Sequence, residues 1–191
     1  MLDDLITSKT RIKLLKIFLS YPAEMYHVRD LVRQTKDEIN AVRRELQILE
    51  KKGILIREPR ANRVYYYLDK NYIFYFDLLR IGAKSIGLGS DILKNKIKLG
   101  KIAYAMLSGK YVRRLKKTPE DVDLLIVGKV VLPEIALLIR NEEAKLGTEI
   151  NYTVMTEDEF HFRKSRSDPF IKQILLGSHI MLIGDEEEML A

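Results

Sequence analysis

A chain of 191 residues, 47% of them hydrophobic, can build one medium domain or two small ones around real cores, and no stretch of it has a disordered composition. It contains no cysteine, which excludes a disulfide framework and any thiolate metal site. The net charge of +6 is unevenly spread: residues 1–70 carry +5, residues 71–117 carry +9 and residues 118–191 carry −8. A basic front and middle with an acidic rear suit a protein that lays one side on a polyanion. The opening Met1-Leu2-Asp3-Asp4 is acidic, and no apolar run approaches the ~20 residues of a membrane span. A cytoplasmic protein without a membrane partner is therefore expected.

The first helix is expected to be capped by Thr7 or Ser8 and to run from Lys9 to Leu19, ending at Tyr21-Pro22. Ile12, Leu15 and Leu19 form its inner face, and Leu14, Ile17 and Phe18 widen it. Met25-Tyr26-His27-Val28 is strand-like and can join a later hairpin as a third strand. His27 has no ligand partner nearby, and His161 and His179 lie far off without metal spacing, so a place at the core edge is expected for it. A short amphipathic helix follows over Arg29–Gln34. Thr35-Lys36-Asp37-Glu38 matches the Thr-x-x-Glu capping box and is expected to start a second helix, from about Glu38 to Lys52, stopped by Gly53.

In that second helix Ile39, Val42, Leu46 and Leu49 fall on one stripe at helical spacing. At 100° per residue, Asn40, Arg44 and Gln47 then point the opposite way, with Arg43 on the shoulder. Ile54–Arg57 and Val64–Leu68 are strand-like runs around a polar turn, Glu58–Arg63. Two short helices, a tight turn and a basic hairpin make a helix-turn-helix with a wing, over residues 1–70. Asn40, Arg43, Arg44 and Gln47 are expected to reach base edges or phosphates in a major groove. Arg57, Arg60, Asn62 and Arg63 on the hairpin are expected to hold the backbone or the minor groove.

Residues 71–98 are expected to form connecting helices. The aromatic stretch Tyr72–Arg80 suits packing, onto the head or onto a second copy of the chain, better than base stacking, because apolar residues dominate it. Gly82 and the Gly87-x-Gly89 pair mark a hinge or a helix end, and Ser90-Asp91 has the form of the next N-cap. Residues 99–191 alternate strands and helices. Ile102–Leu107 and Asp121–Gly128 are expected strands, Pro133–Leu146 a helix ended by Gly147, and Thr148–Met155 a third strand. Thr156-Glu157-Asp158-Glu159 opens a short helix, Asp168-Pro169 another, and His179–Ile183 is a last strand. The fold class expected for the chain is α+β, a winged helix-turn-helix followed by a small α/β domain with a mixed sheet.

Asp121 and Asp123 stand at i, i+2, so on a strand both carboxylates leave one face. Two adjacent oxygen ligands suit a hard cation such as Mg²⁺ that also holds a nucleotide's phosphates. Glu149 and Asn151, again i, i+2 on the later strand, can face the same place.

A strand followed by Gly109-x-Tyr111-x-Arg113, a basic loop and Asp121-x-Asp123-Leu124-Leu125-x-Val127 resembles the small nucleotidyltransferase domains of the polymerase-β-like superfamily. The likeness extends over Leu107 to Val127, and the elements through Gly184 follow the same order. It implies that Gly109 and Lys110 sit where that family's Gly-Ser pair binds nucleotide phosphate. It also implies that Asp121 and Asp123 hold a divalent metal and that a third acid assists. Lys110 replaces the family's serine, Arg114 stands where a small residue is usual, and the third position is Glu149 or Asn151 according to register. The N-terminal part resembles the winged helix of arsenical-resistance-type repressors, and the whole order resembles regulators that fuse the two.

These resemblances imply a DNA-binding transcriptional regulator, acting as a homodimer on double-stranded DNA. Its C-terminal domain would then be a catalytically impaired nucleotide-sensing or interaction module with a nucleotide effector. The alternative they leave open is an active Mg²⁺-dependent nucleotidyltransferase using a nucleoside triphosphate, including the antitoxin kind. In it Asp121, Asp123 and Glu149 would be catalytic.

Overall fold

The computed structural model describes residues 2–191, apart from the side chain of residue 3. The chain is α+β and divides into two compact units, residues 1–85 and 86–191. No helix among the described residues is long and apolar enough to cross a membrane.

The first unit contains α1 (Leu2–Leu5), α2 (Lys9–Ser20), β1 (Tyr26–His27), α3 (Val28–Thr35), α4 (Ile39–Lys51), β2 (Leu55–Arg60), β3 (Arg63–Leu68) and α5 (Tyr75–Ser85). Ser8 caps α2 by accepting from the Arg11 amide. Leu14 and Phe18 of α2, Leu31 of α3 and Val42 and Leu46 of α4 are fully buried together, so the helical stripes read in the sequence meet in one core. The three strands form an antiparallel sheet in the order β1-β3-β2, with His27 opposite Tyr65. The segment around His27 thus does add a strand to the hairpin.

The turn between α3 and α4 is built differently from the expected capping box. Thr35 ends α3, where its buried Oγ1 donates to the Leu31 carbonyl at 2.8 Å and accepts from the Asp37 amide at 3.4 Å, while the next helix starts only at Ile39. Lys36 takes the left-handed conformation (φ 56°) that terminates α3, and Glu38 stands at the α4 N-cap without a side-chain bond. Lys13 of α2 pins the corner instead: its ammonium donates to the Thr35 carbonyl at 2.9 Å and pairs with Asp37. The hairpin is also tighter than the sequence suggests. Pairing continues through Pro59 opposite Val64 and Arg60 opposite Arg63, leaving Ala61-Asn62 as the turn. Pro59 is tolerated because β2 is an edge strand, where its missing N–H breaks no ladder bond.

The second unit contains α6 (Gly87–Lys94), β4 (Gly100–Ser108), α7 (Gly109–Val112), β5 (Leu124–Val130), α8 (Leu132–Leu146), β6 (Tyr152–Met155), α9 (Glu157–Ser165), α10 (Pro169–Leu176), β7 (His179–Ile183) and α11 (Glu186–Leu190). The mixed sheet has the order β6-β5-β4-β7, with β5 and β6 parallel through the α8 crossover and the other pairs antiparallel. Leu124 to Val127 are all buried, the continuous apolar run of a strand covered on both faces. Leu125 and Val127 face a core with Met106, Phe160, Ile171 and Met189, while α6 and α8 pack on one another. Thr156 accepts from the Glu159 amide, and Asp168 caps α10.

Several boundaries differ from the sequence reading. The stretch 71–98 supplies α5 to the first unit and α6 to the second. Gly82 is no hinge: it lies buried within α5, where an added Cβ would come within 3.0 Å of the Leu19 Cβ. α6 begins at Gly87 (φ 56°), so Ser90 is a buried mid-helix residue rather than an N-cap. Asp121 and Asp123 precede β5, and Glu149 and Asn151 precede β6.

Leu46→Ala should lower the unfolding free energy of the first unit by about 2–5 kcal/mol, since Leu46 is wholly inaccessible. Ile73→Ala, at a residue 82% exposed, should shift it by less than ~0.5 kcal/mol. Urea denaturation followed by circular dichroism checks both.

Candidate nucleic-acid interface and carboxylate pair

In the first unit the packing of α4 fixes which of its side chains face outward. With Val42, Leu46 and Leu49 buried, Asn40, Arg43, Arg44 and Gln47 are all exposed. A concave groove of about 520 Å³ runs between α4, the start of α3 and the hairpin. Arg43 and Gln47 line it from α4, Arg57 from β2, and Asn62 and Arg63 from the hairpin tip, so five of the eight residues expected to contact DNA converge on one concavity. Arg29 and His27 also line it, and no acidic residue does. Arg29 is absent from the DNA contacts expected from the sequence because those were sought on the second helix and the hairpin, whereas Arg29 stands in the first turn of the helix before them. Only the tertiary approach of α3's first turn to the hairpin brings it in.

The other three residues are placed differently. Asn40 and Arg44 lie exposed on α4 outside the groove. Arg60 folds back on its own strand: its guanidinium pairs with Glu58 at 2.6 Å and lies 5.7 Å from the Tyr65 ring centroid. Arg29, Arg43, Arg44 and Arg63 form no ion pair among the described residues. Their charge is uncompensated and faces solvent, which is the electrostatic requirement for holding a polyanion.

In the second unit the carboxylate pair is engaged by lysines. Asp121 receives the Lys110 ammonium on both oxygens, at 2.7 and 2.9 Å, and the Thr118 amide at 2.7 Å. The Lys110 hydrogen bond first, and the Thr118 amide second, hold its carboxyl below the usual carboxylate range. Asp123 is completely buried, pairs with Lys117 and accepts from the Asn151 amide at 2.9 Å, while its Oδ1 has no partner among the described residues. Lys117 also donates to the Glu149 carbonyl at 2.6 Å, tying the basic loop to the segment before β6. The Asn151 side chain donates to the Asp121 carbonyl at 3.1 Å, whereas the Glu149 side chain is exposed. Asn151, not Glu149, therefore adjoins the aspartates.

Gly109 and Lys110 are also committed internally. The Gly109 amide donates to the Ser178 carbonyl at 2.6 Å, and an added Cβ would collide with Ser178 Oγ. That glycine is required by the close approach of the chain at Ser178, and its N–H is not offered to a phosphate. Beside it lies a small cavity of about 160 Å³, lined among others by Ser108, Lys110, Arg113, Asp121, Ser178 and His179. A divalent cation does not fit the carboxylate pair as built. Each aspartate already carries its own ammonium group, and no group of three His, Cys, Asp or Glu suited to a metal occurs among the described residues.

No family model matches the chain, and no curated protein or solved structure is significantly similar to it.

Titration calorimetry with Mg²⁺ or Mn²⁺ should give no binding heat; a site of micromolar affinity would contradict the lysine-filled arrangement. Lys117→Met should destabilise the second unit by about 3–5 kcal/mol, because it leaves a buried carboxylate unpaired. Adding Asp123→Asn to that variant should recover part of the stability. The depressed Asp121 pKa contributes stability that is present above the ordinary aspartate value near ~3.9 and is lost as pH falls through the lower folded value. Lys110→Met should flatten the acid limb of a melting-temperature profile.

Proposed function

We propose that the chain is a DNA-binding transcriptional regulator whose first unit is a winged helix-turn-helix. In this reading α4 enters the major groove, and β2 and β3 form the wing that grips the backbone. The observation that carries it is the acid-free groove, in which Arg43, Gln47, Arg57, Asn62 and Arg63 converge beside Arg29. The arginines of this set supply phosphate contacts and bidentate base contacts, and Gln47 and Asn62 supply amides suited to base edges. Asn40 and Arg44 extend the reading surface along α4.

A homodimer on a palindromic duplex fits the same reading. Ile73 and Phe74, just before α5, and Phe76, in its first turn, are 82%, 54% and 61% exposed, an apolar surface suited to a second copy. We infer that the second unit, whose element order resembles a minimal nucleotidyltransferase domain, is an interaction or nucleotide-sensing module. The pairing of Asp121 with Lys110 and of Asp123 with Lys117 supports this over group transfer, since the carboxylates that would hold a metal are neutralised within the chain.

Genomic fragments selected on the purified protein provide the duplex for the test. Arg43→Ala with Arg63→Ala should weaken binding at least tenfold by fluorescence anisotropy. The log–log salt slope should fall by roughly 1.8, about 0.9 for each phosphate no longer neutralised. Unchanged affinity would defeat the reading. Incubation with labelled ATP, Mg²⁺ and candidate acceptors should leave no label in any acceptor; labelling abolished by Asp123→Asn would install the transferase in its place.

A further inference from the structure

The second unit has sixteen acidic and sixteen basic residues, so its composition predicts no charged face. Five lysines nonetheless gather at one edge. Lys94 closes α6, Lys96 and Lys98 lie in the turn that follows, Lys101 is the second residue of β4, and Lys129 is in β5. Neither residues 94–101 nor residues 128–133 include an aspartate or glutamate. All five lysines are exposed, and none of their ammonium groups forms an ion pair or hydrogen bond among the described residues. The two segments are tied by the Val131 amide donating to the Leu99 carbonyl at 2.9 Å.

The register makes this arrangement costly. Lys101 and Lys129 are directly opposite one another in the antiparallel pair, so their side chains leave the same face of the sheet with Cβ atoms roughly 5 Å apart. Like charges in that relation repel, and no acid offsets them. Slippage is also blocked. Gly100 (φ 101°) and Gly128 (φ 144°) flank the pair, and a Cβ on either would collide with a lysine carbonyl of the opposing strand, Lys129 O for Gly100 and Lys101 O for Gly128. Two glycines thus hold two uncompensated ammonium groups side by side on a rigid strand pair, where an external anion would relieve the repulsion.

We propose that this lysine edge is a second, sequence-independent contact to the phosphate backbone of duplex DNA. It rests on the DNA-binding reading of the first unit. Lysine is a point charge without the planar fork that reads a guanine edge; no arginine stands among the five, and the amide of Asn95 beside them is spent on the Asp91 carbonyl at 2.8 Å, so the edge grips the backbone and does not select sequence. The peptide link at residues 85–86 keeps the second unit near any duplex the first unit holds, so a contact of low intrinsic affinity adds to the total.

The test uses the full chain and the Lys98→Gln, Lys101→Gln, Lys129→Gln triple variant, titrated by anisotropy onto the selected duplex and a scrambled one over a range of salt. The triple variant should lower the salt slope by roughly 2.7, three phosphates at about 0.9 each, and weaken both duplexes by the same factor, leaving the preference between them intact. It should melt at or above the temperature of the native chain, because a repulsive pair has been removed. Lys96→Gln with Lys98→Gln, confined to the turn, should lower the slope by roughly 1.8 and keeps the test alive should the strand variant fold poorly.

An unchanged slope in both variants, while Arg43→Ala with Arg63→Ala still weakens binding, would overturn the lysine edge alone. Absence of duplex binding by the native chain would overturn both readings. Ile97, 96% exposed at the tip of the turn, allows the competing occupant to be recognised. If Ile97→Ser or the triple variant abolishes binding to phosphatidylserine vesicles while the duplex slope stays unchanged, the edge belongs to an anionic membrane surface and the proposal falls.

Discussion

The rotational phase of α4 governs what the first unit can offer to a partner. Val42, Leu46 and Leu49 are essentially inaccessible, and each removes apolar area that stabilises the fold by about 1.5–3 kcal/mol. A helix with three such anchors at i, i+4 and i+7 cannot rotate without exposing at least one of them. The outward positions of Asn40, Arg43, Arg44 and Gln47 are therefore consequences of the core, not independent choices. The same logic extends to the hairpin. Leu55 and Leu68 are buried partners in the β2–β3 register, so the period-2 alternation of the strands is fixed from their inner end to the Ala61-Asn62 tip. Two independently anchored elements thus bring Arg43 and Arg63 into one groove.

The carboxylate pair of the second unit handles charge by the opposite rule. It is neutralised by lysines from the basic loop, and Asp123 sits where an unpaired carboxylate would be prohibitively expensive. Lys117 reaches both Asp123 and the Glu149 carbonyl, so one ammonium group closes the loop over the strand ends. A lysine in this position is a permanent, covalently tethered counter-ion. It neutralises the site without dissociating, whereas a bound cation would come and go with concentration. Element order alone does not define function, which lives in the side chains placed on those elements. Here the side chains are arranged for cohesion.

Where the sequence was legible, a period was long enough to outvote local accidents. The stripe of α4, the α8 helix closed by Gly147 (φ 69°) and the apolar run of β5 all follow from patterns sustained over several residues. Short signals were less reliable because they depend on ownership. A Thr-x-x-Glu box requires its threonine to belong to the following helix, but Thr35 is buried in the last turn of the preceding one. Ser90 has a capping chemistry that is idle once Gly87 has already started the helix. The choice between Glu149 and Asn151 was not decidable from spacing, because both share one parity on an extended segment. What separates them is the main-chain bonding of Asp123 to Asn151, whose carbonyl accepts from the Asp123 amide at 2.7 Å. Of the groove residues, those on α4 and the hairpin could be read from pattern, while Arg29 and His27 could not.

Cationic side chains fall into three groups in this chain, and partner availability distinguishes them better than residue type or exposure does. Lys13, Lys110 and Lys117 have carboxylates within reach and act as internal ties. Arg29, Arg43, Arg44 and Arg63 have none among the described residues and lie on a surface whose shape is set by a helix and a hairpin. Lys94, Lys96, Lys98, Lys101 and Lys129 also have none there, and two of them are held in direct opposition by a glycine-locked register. Solvent screening weakens repulsion between exposed charges but does not reverse its sign, so an unpaired cluster costs stability in the free protein. In the proposed complex with DNA that cost would disappear, because phosphates would take the place of the missing acids. It also supplies a physical reason why net charge is a poor guide to such surfaces. The second unit is neutral by count, and the first is not, yet each carries cations that no described carboxylate neutralises.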